Sequence, residues 1–389
     1  MLLLFWLCAS LLASYATYVW AVASFSWVAA KRRGFAAGLV GLCVVPPPLA
    51  WAMMHAHVSS NFTGAIEGWL SIVMMVLLIS AGPIALIHGL SRKVFPSSAF
   101  EAADPFDERG KTMNRRQIAE AAAGTAVFAA SGSMIGWGMI RGRHAFGLTE
   151  TPVRVAGLPR VLDGYVITQV SDLHAGAFVG ERELDEGFEL VKKTRPDLIV
   201  VTGDLVDTDF GAARAVAAKL RTTTPRDGWV ACLGNHDYYA GAWRVTSILR
   251  AAGIDVLVNQ ARRLRERDGG GFALLGVDDR SAPRYGGAGP RLDRALANVS
   301  PDVARVLLSH QPTTVDQWPG QVALQLSGHT HGGQINPGSR TVNVFFKYLA
   351  GPYAVGGTTL YVNRGFGTVG PPTRVGAPPE VSRLVLVAD

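Results

Sequence analysis

Tyr165-Val166-Ile167-Thr168-Gln169-Val170-Ser171-Asp172-Leu173-His174 opens a stretch, reaching to Asp237, in which three apolar runs each stop at a short polar signature. The signatures are Asp172-Leu173-His174, Gly203-Asp204-Leu205-Val206-Asp207 and Gly234-Asn235-His236-Asp237. Val306-Leu307-Leu308-Ser309-His310 and Leu324-Gln325-Leu326-Ser327-Gly328-His329-Thr330-His331 repeat the pattern further along. Loops at the carboxyl ends of the strands of an open α/β sheet converge, so five such ends would bring Asp, Asn and His to one point. That point has the donors of a metal site. Each signature alone is common, but five of the chain's nine His fall inside them, namely His174, His236, His310, His329 and His331. Carboxylate, amide carbonyl and imidazole together suit Mn, Fe or Zn. Two such ions need a bridging carboxylate, and Asp204 is the natural candidate, its neighbour Gly203 allowing a sharp turn and a close backbone approach.

Outward from this stretch, strand and helix patterns alternate. Short apolar runs of buried-strand length lie at Val166 to Val170, Leu198 to Val201, Trp229 to Leu233, Phe272 to Gly276, Val306 to Leu308 and Val322 to Leu326. Glu181 to Thr194, Ala212 to Leu220 and Ala242 to Ala252 have helical character. Thr358 to Val362 and Leu384 to Val387 read as closing strands, so an α/β domain with covered sheets is expected over 150–389.

The preceding part has a different composition. Met1 to Ala30, Gly34 to Ile66 and Gly68 to Ser91 contain no Asp, Glu, Lys or Arg, and each is long enough to cross a bilayer at about 20 residues per span. Three spans are expected within 1–91: Leu2 to Ala29, Phe35 to His57 and Trp69 to Leu90. Lys31-Arg32-Arg33 follows the first span and no basic residue precedes it, which predicts an uncleaved span with its N-terminus outside. Pro46-Pro47-Pro48 would kink or break the second span. Residues 92–116, broken by Pro96 and Pro105, read as a cytoplasmic linker. Ile118 to Ile140, within 117–141, is either a fourth span or a surface helix. Glu120 and the following Arg141 and Arg143 weigh against a span, whereas Arg115-Arg116 before it resembles a twin-arginine signal without the usual Phe-Leu. Four spans place everything after Arg141 outside the cytoplasm; three keep it inside.

The net charge of +7 suggests nucleic acid until it is located. Through Glu150 there are 11 of the 37 basic and 7 of the 30 acidic side chains, so the remainder carries only +3. Most of the basic excess therefore flanks apolar spans, and the catalytic part has no phosphate-binding footprint; no nucleic-acid partner is expected. Cys8, Cys43 and Cys232 lie in apolar runs and indicate no disulfide framework.

The ordered blocks DLH, GDLVD, GNHD, SH and GHTHGG closely resemble the calcineurin-like metallophosphoesterases, over Val166 to roughly Gln334. The resemblance implies a four-layer αββα sandwich with a two-metal centre. By it, Asp172, His174 and His331 hold the first metal, Asn235, His310 and His329 hold the second, and Asp204 bridges them. His236 matches the histidine that contacts the phosphate or protonates the leaving group. Two divalent ions would clamp a phosphate and lower the pKa of a water to about 7 for in-line attack on phosphorus.

With membrane spans ahead of it, the chain looks like the membrane-associated YkuE and YaeI type of bacterial phosphodiesterase, a multi-pass protein of the plasma membrane. Some relatives of that type cleave the pyrophosphate of UDP-diacylglucosamine in lipid A synthesis, which makes a lipid-linked phosphate ester one candidate substrate. A non-catalytic membrane sensor is the alternative of another class. Asp207 and Asp237 read as hydrogen-bonding groups beside the ligands. Arg364 is a candidate contact for the substrate phosphate, beside a structural reading of equal weight. Phe345-Phe346-Lys347-Tyr348 reads as a lid, a lipid-facing ledge or ordinary core, and His55, His57 and His88 as interfacial residues at span ends.

Overall fold

The computed structural model describes residues 2–44, 60–94, 115–265, 270–336, 338, 342 and 345–389. The chain divides into two compact units, Met1–Trp137 and Gly138–Asp389. The triple proline at Pro46, His55 and His57, and the linker between 95 and 114 lie outside the described residues.

The first unit is helical: α1 (Leu2–Ser24), α2 (Ser26–Ala30), α3 (Arg32–Val44), α4 (Ser60–Val94) and α5, which starts at Arg115 and runs to Ile140. Among the described residues, two stretches are long and apolar enough to cross a membrane, Leu70–Val94 and Arg115–His144, while the apolar stretch Cys8–Ser24 is shorter. Two of the expected spans thus have helices of sufficient length, and the count of three to four is not reached among the described residues. Trp20, Ala21, Val28 and Ile84 form a buried cluster with Val127 and Phe128 against it. The Trp20 indole N–H donates to the Glu120 carbonyl at 2.9 Å. A Cβ at Gly124 would overlap the Trp20 ring, so the missing side chain is what admits the indole.

Glu120, the charge that argued against a span, is buried and fully engaged. Arg116 Nε donates to its carboxylate at 2.8 Å, His88 Nδ1 lies 3.2 Å away, and the Ser91 hydroxyl donates to it. His88 is thus a partner of a buried acid.

The second unit contains two six-stranded mixed sheets. The first comprises β1 (Gly147–Arg154), β2 (Val166–Val170), β3 (Leu198–Thr202), β4 (Trp229–Cys232), β5 (Asp255–Val256) and β12 (Glu380–Val387), in the order β1-β12-β2-β3-β4-β5. The second comprises β6 (Gln260–Leu264), β7 (Phe272–Gly276), β8 (Ala304–Leu308), β9 (Leu324–Ser327), β10 (Gly351–Val355) and β11 (Thr358–Val362), in the order β10-β11-β9-β8-β7-β6. β2, β3 and β4 are parallel to one another, as are β7, β8 and β9. Every residue of β2, β3, β4 and β7 is buried, the signature of strands covered on both faces.

Ile167, Val200 and Val230 from the first sheet meet Leu274, Val306 and Leu326 from the second in the central core. On the outer face of the first sheet lie α6 (Glu181–Lys193), α7 (Ala213–Leu220), α8 (Asn235–Ala240) and α9 (Ala242–Ala251); α10 (Leu292–Leu296) covers the second. The layers are helix, sheet, sheet, helix, as the family resemblance implies. In α6 the buried positions Leu184, Gly187, Phe188 and Val191 recur at helical spacing, with Glu181 and Glu183 in the first turn and Lys192 and Lys193 in the last, each sign placed to suit the helix dipole. β1, β5, β6 and β10 are absent from the sequence reading. They are edge or short strands with half-exposed patterns, so no continuous apolar run marks them.

Candidate metal centre

Five parallel strands deliver the signatures to one edge of the sandwich. β2 ends two residues before Asp172, β3 two before Asp204 and β4 three before Asn235, while β8 and β9 each end two before His310 and His329. The backbone turns hard at these points. Asp172, His174, Asp204, His329 and His331 all have positive φ, between 47° and 72°, a region that side chains rarely adopt. Such conformations cost of order 1–3 kcal/mol each and persist where the surroundings over-determine them.

The donors form two groups around one carboxylate. His174 Nε2 and His331 Nε2 are 3.1 Å apart, and His331 Nε2 is 3.4 Å from Asp172 Oδ1. In the second group, His329 Nδ1 is 3.1 Å from His310 Nε2. Asp204 Oδ2 lies 3.5 Å from His174 Nε2 and 3.1 Å from His310 Nε2, within reach of both groups. Its Oδ1 is already used, accepting the His236 backbone N–H at 2.8 Å. Asn235 is buried, its amide nitrogen donating to the Tyr239 hydroxyl at 3.3 Å while Oδ1 has no hydrogen-bond partner. An orphaned buried carbonyl on the residue before His236, whose backbone N–H bonds Asp204, is a group that a divalent cation would satisfy.

Electrostatics sort the imidazoles. Burial alone would raise Asp204, but the nearby His310, His236 and His174 hold it well below the usual carboxylate range. Burial lowers His310 and the Asp204 charge more than offsets it, leaving His310 raised. Burial and the neighbouring His310 push His329 down to about 4, and burial with His174 pushes His331 well below its usual value. His310 Nδ1 lies 2.8 Å from the Thr202 carbonyl, which can only accept, so Nδ1 carries a proton and Nε2 faces Asp204.

His236 sits beside this centre without joining either group. Its Nδ1 is 3.0 Å from Asp207 Oδ1 and 3.1 Å from the Asp207 carbonyl, so Asp207 engages the ring through Nδ1. Burial works against the charged imidazole, but Asp204 and Asp207 raise His236 to about 9. Asp207 Oδ1 also lies 3.4 Å from His174 Nδ1, close enough for its charge to act on both rings although His174 Nδ1 makes no hydrogen bond. Asp237 spends both oxygens on the backbone: its Oδ1 accepts from Leu205 and Val206 N–H at 2.9 and 3.3 Å, and Oδ2 from Gly234 at 2.8 Å.

Arg364 stands at the rim with its guanidinium engaged, Nε donating to Glu380 at 2.7 Å and Nη2 to Thr149 at 3.2 Å. Arg374 is a residue that the sequence reading passed over. It is fully buried and donates to the carbonyls of Gly367, Arg364, Ala377 and His331, with Nη2 3.1 Å from His331 Nδ1. A single arginine in a Pro-Gly-rich segment carries no local signal of such a role. Tyr348 is buried against Val315, Leu360 and Val362, and the neighbouring Phe345 is exposed, so the aromatic stretch is part core and part surface.

A family model described as calcineurin-like phosphoesterase matches residues 165–333. The transmembrane protein with metallophosphoesterase domain of Danio rerio is 30% identical over 295 residues, 71% of this chain and 67% of that protein. Its Bos taurus counterpart is 33% identical over 265 residues, 64% of this chain and 59% of that protein, so this chain spans about three fifths of its length. The Bacillus subtilis metallophosphoesterase YkuE, itself uncharacterized, is 32% identical over 288 residues, 71% of this chain and 98% of that protein.

Proposed function

The chain belongs to the calcineurin-like metallophosphoesterase family, and from that premise we propose that it is a membrane-anchored phosphodiesterase dependent on two divalent metal ions. The observation that carries the reading is Asp204 Oδ2, placed 3.5 Å from His174 Nε2 and 3.1 Å from His310 Nε2 as a bridge between two donor groups. Asp172, His174 and His331 would hold one ion, Asn235, His310 and His329 the other. Bound there, the pair would supply charge neutralisation for a phosphate and a water made acidic near neutral pH.

The chain's own residues do the rest. Asp207 holds the His236 ring by Nδ1, so His236 delivers a proton from Nε2 to the departing oxygen. Asp237 braces the Gly203–Asp207 and Gly234 turns and keeps Asp204 and Asn235 in register. A diester is favoured because the two arginines of the site's rim and floor are committed, Arg364 to Glu380 and Arg374 to backbone carbonyls. A dianionic monoester would call for a spare cation. Anchoring is supported by the helices containing Leu70–Val94 and Arg115–His144 and by relatives named as transmembrane proteins. With four spans and the N-terminus outside, the catalytic unit would lie outside the cytoplasm. No observation favours the lipid A precursor as substrate, or a non-catalytic sensor.

Hydrolysis of an aryl phosphodiester and its monoester by detergent-extracted protein, with and without Mn, tests the reading beside Asp204→Asn. Turnover that needs metal, favours the diester and vanishes in the variant is the expected result. Two bound equivalents of metal without turnover of either ester would refute the hydrolase reading.

A further inference from the structure

Beyond His236 the site continues as a row of exposed aromatic rings that metal chemistry does not require. The Tyr239 ring centroid is 4.9 Å from that of His236, and the Tyr285 centroid is 5.5 Å from that of Tyr239. Tyr239 is 47% and Tyr285 52% exposed, a large apolar face left open at the mouth of a buried polar site.

The row is rigid. Tyr285 ends the turn Ala282–Tyr285, whose start is held by Asp279 Oδ1 accepting from the Ser281 N–H at 2.7 Å and hydroxyl at 2.6 Å. The Asp279 carboxylate also accepts from Gln311 Nε2 at 3.2 and 3.1 Å, tying the turn to the residue after His310. Tyr238, whose ring lies 6.3 Å from that of Tyr285, is fixed by its hydroxyl on buried Asp278. Position decides what the row would meet. If His236 delivers the proton to the departing oxygen, the organic group on that oxygen would leave beside Tyr239, whose ring lies next to His236 and Tyr285.

We propose that Tyr285, with Tyr239, forms a stacking shelf that selects phosphate esters whose leaving group carries a flat aromatic ring one or two bonds from the ester oxygen. The proposal rests on the phosphoesterase reading above. Stacking of aromatic faces contributes beyond simple area burial, and on a pre-ordered shelf it corresponds to a preference of about 2- to 10-fold over a saturated ring of equal size.

The test compares methyl benzyl phosphate with methyl cyclohexylmethyl phosphate, whose alcohols have similar acidity and bulk, in the full-length detergent-extracted protein with Mn. Calorimetric binding of the matching non-hydrolysable phosphonates reads the same preference without turnover. In the native protein the benzyl compounds lead in kcat/KM and in Kd; Tyr285→Phe keeps the lead, and Tyr285→Leu, apolar but not flat, loses it. Equal handling of the two rings by the native protein, or a lead unchanged in Tyr285→Leu, overturns the shelf and leaves the hydrolase reading standing. Absent turnover with the binding preference intact would do the reverse.

Discussion

Asp207 touches two rings with different duties, and its removal separates them. Asp207→Asn takes the charge from His236 Nδ1 and from His174 Nδ1, 3.0 and 3.4 Å away. Loss of such an orienting partner is expected to cost about 10- to 100-fold in activity. His236→Ala should cost about 100- to 10,000-fold in kcat while metal analysis still finds both ions, since Asn235 and the four candidate ligand histidines are untouched. In the double variant the Asp207 change should add little further loss of kcat, because its effect on proton delivery passes through His236. Metal missing from His236→Ala would move that residue from proton delivery to ligation.

At the scale of the element, the strand ends depend on glycines that leave room for a neighbouring carboxylate. A Cβ at Gly328 would overlap Ser171 Oγ and Asp172 Oδ2, and one at Gly234 would overlap Asp204. Gly328→Ala should therefore displace Asp172, with overpacking costing about 1–3 kcal/mol and weakened metal binding visible by calorimetry. In the helical unit, Glu120→Ala leaves Arg116, His88 and Ser91 without their shared acceptor. Breaking a buried pair in this way typically costs about 3–5 kcal/mol, so the apparent Tm in detergent should fall, whereas an unchanged Tm would mean that water replaces the carboxylate there.

Across the whole catalytic unit, Glu380 links the sheets, accepting from Tyr361 of β11 at 2.7 Å and from Arg364 at 2.7 Å while lying on β12. Burial would raise its carboxyl, but the Arg364 charge and the hydrogen bonds from Tyr361, Ser382 and Arg364 hold it below the ordinary value. A folded-state pKa below the unfolded value, about 4.3, gives stability that is present above that pH and lost as pH falls through the folded value. The stability advantage of the native protein over Glu380→Gln should accordingly be complete near neutrality and shrink below about pH 4. Denaturant melts across that range measure it; an advantage independent of pH would show that Glu380 acts by packing alone. Resistance to carbonate extraction from membranes checks the anchoring reading at the same scale.

The candidate donors are legible because each lies just after a run of strand-forming residues, and strand length and strand end are local properties of a chain. The same locality revealed α6, α7 and α9, whose apolar positions repeat at helical spacing. Glu120 misled in part, since a charge inside an apolar stretch reads as a penalty until its partners on another helix are seen. Arg374, the Asp207 bridge between His174 and His236, and the neighbourhood of Tyr285 left no trace in local pattern. By itself, then, the sequence determined the donor types, their order and the strands that carry them. Tertiary structure alone decided which ring nitrogen faces which carboxylate oxygen and which aromatic faces stay open, because those contacts join residues up to 159 positions apart and exist only once two sheets have packed.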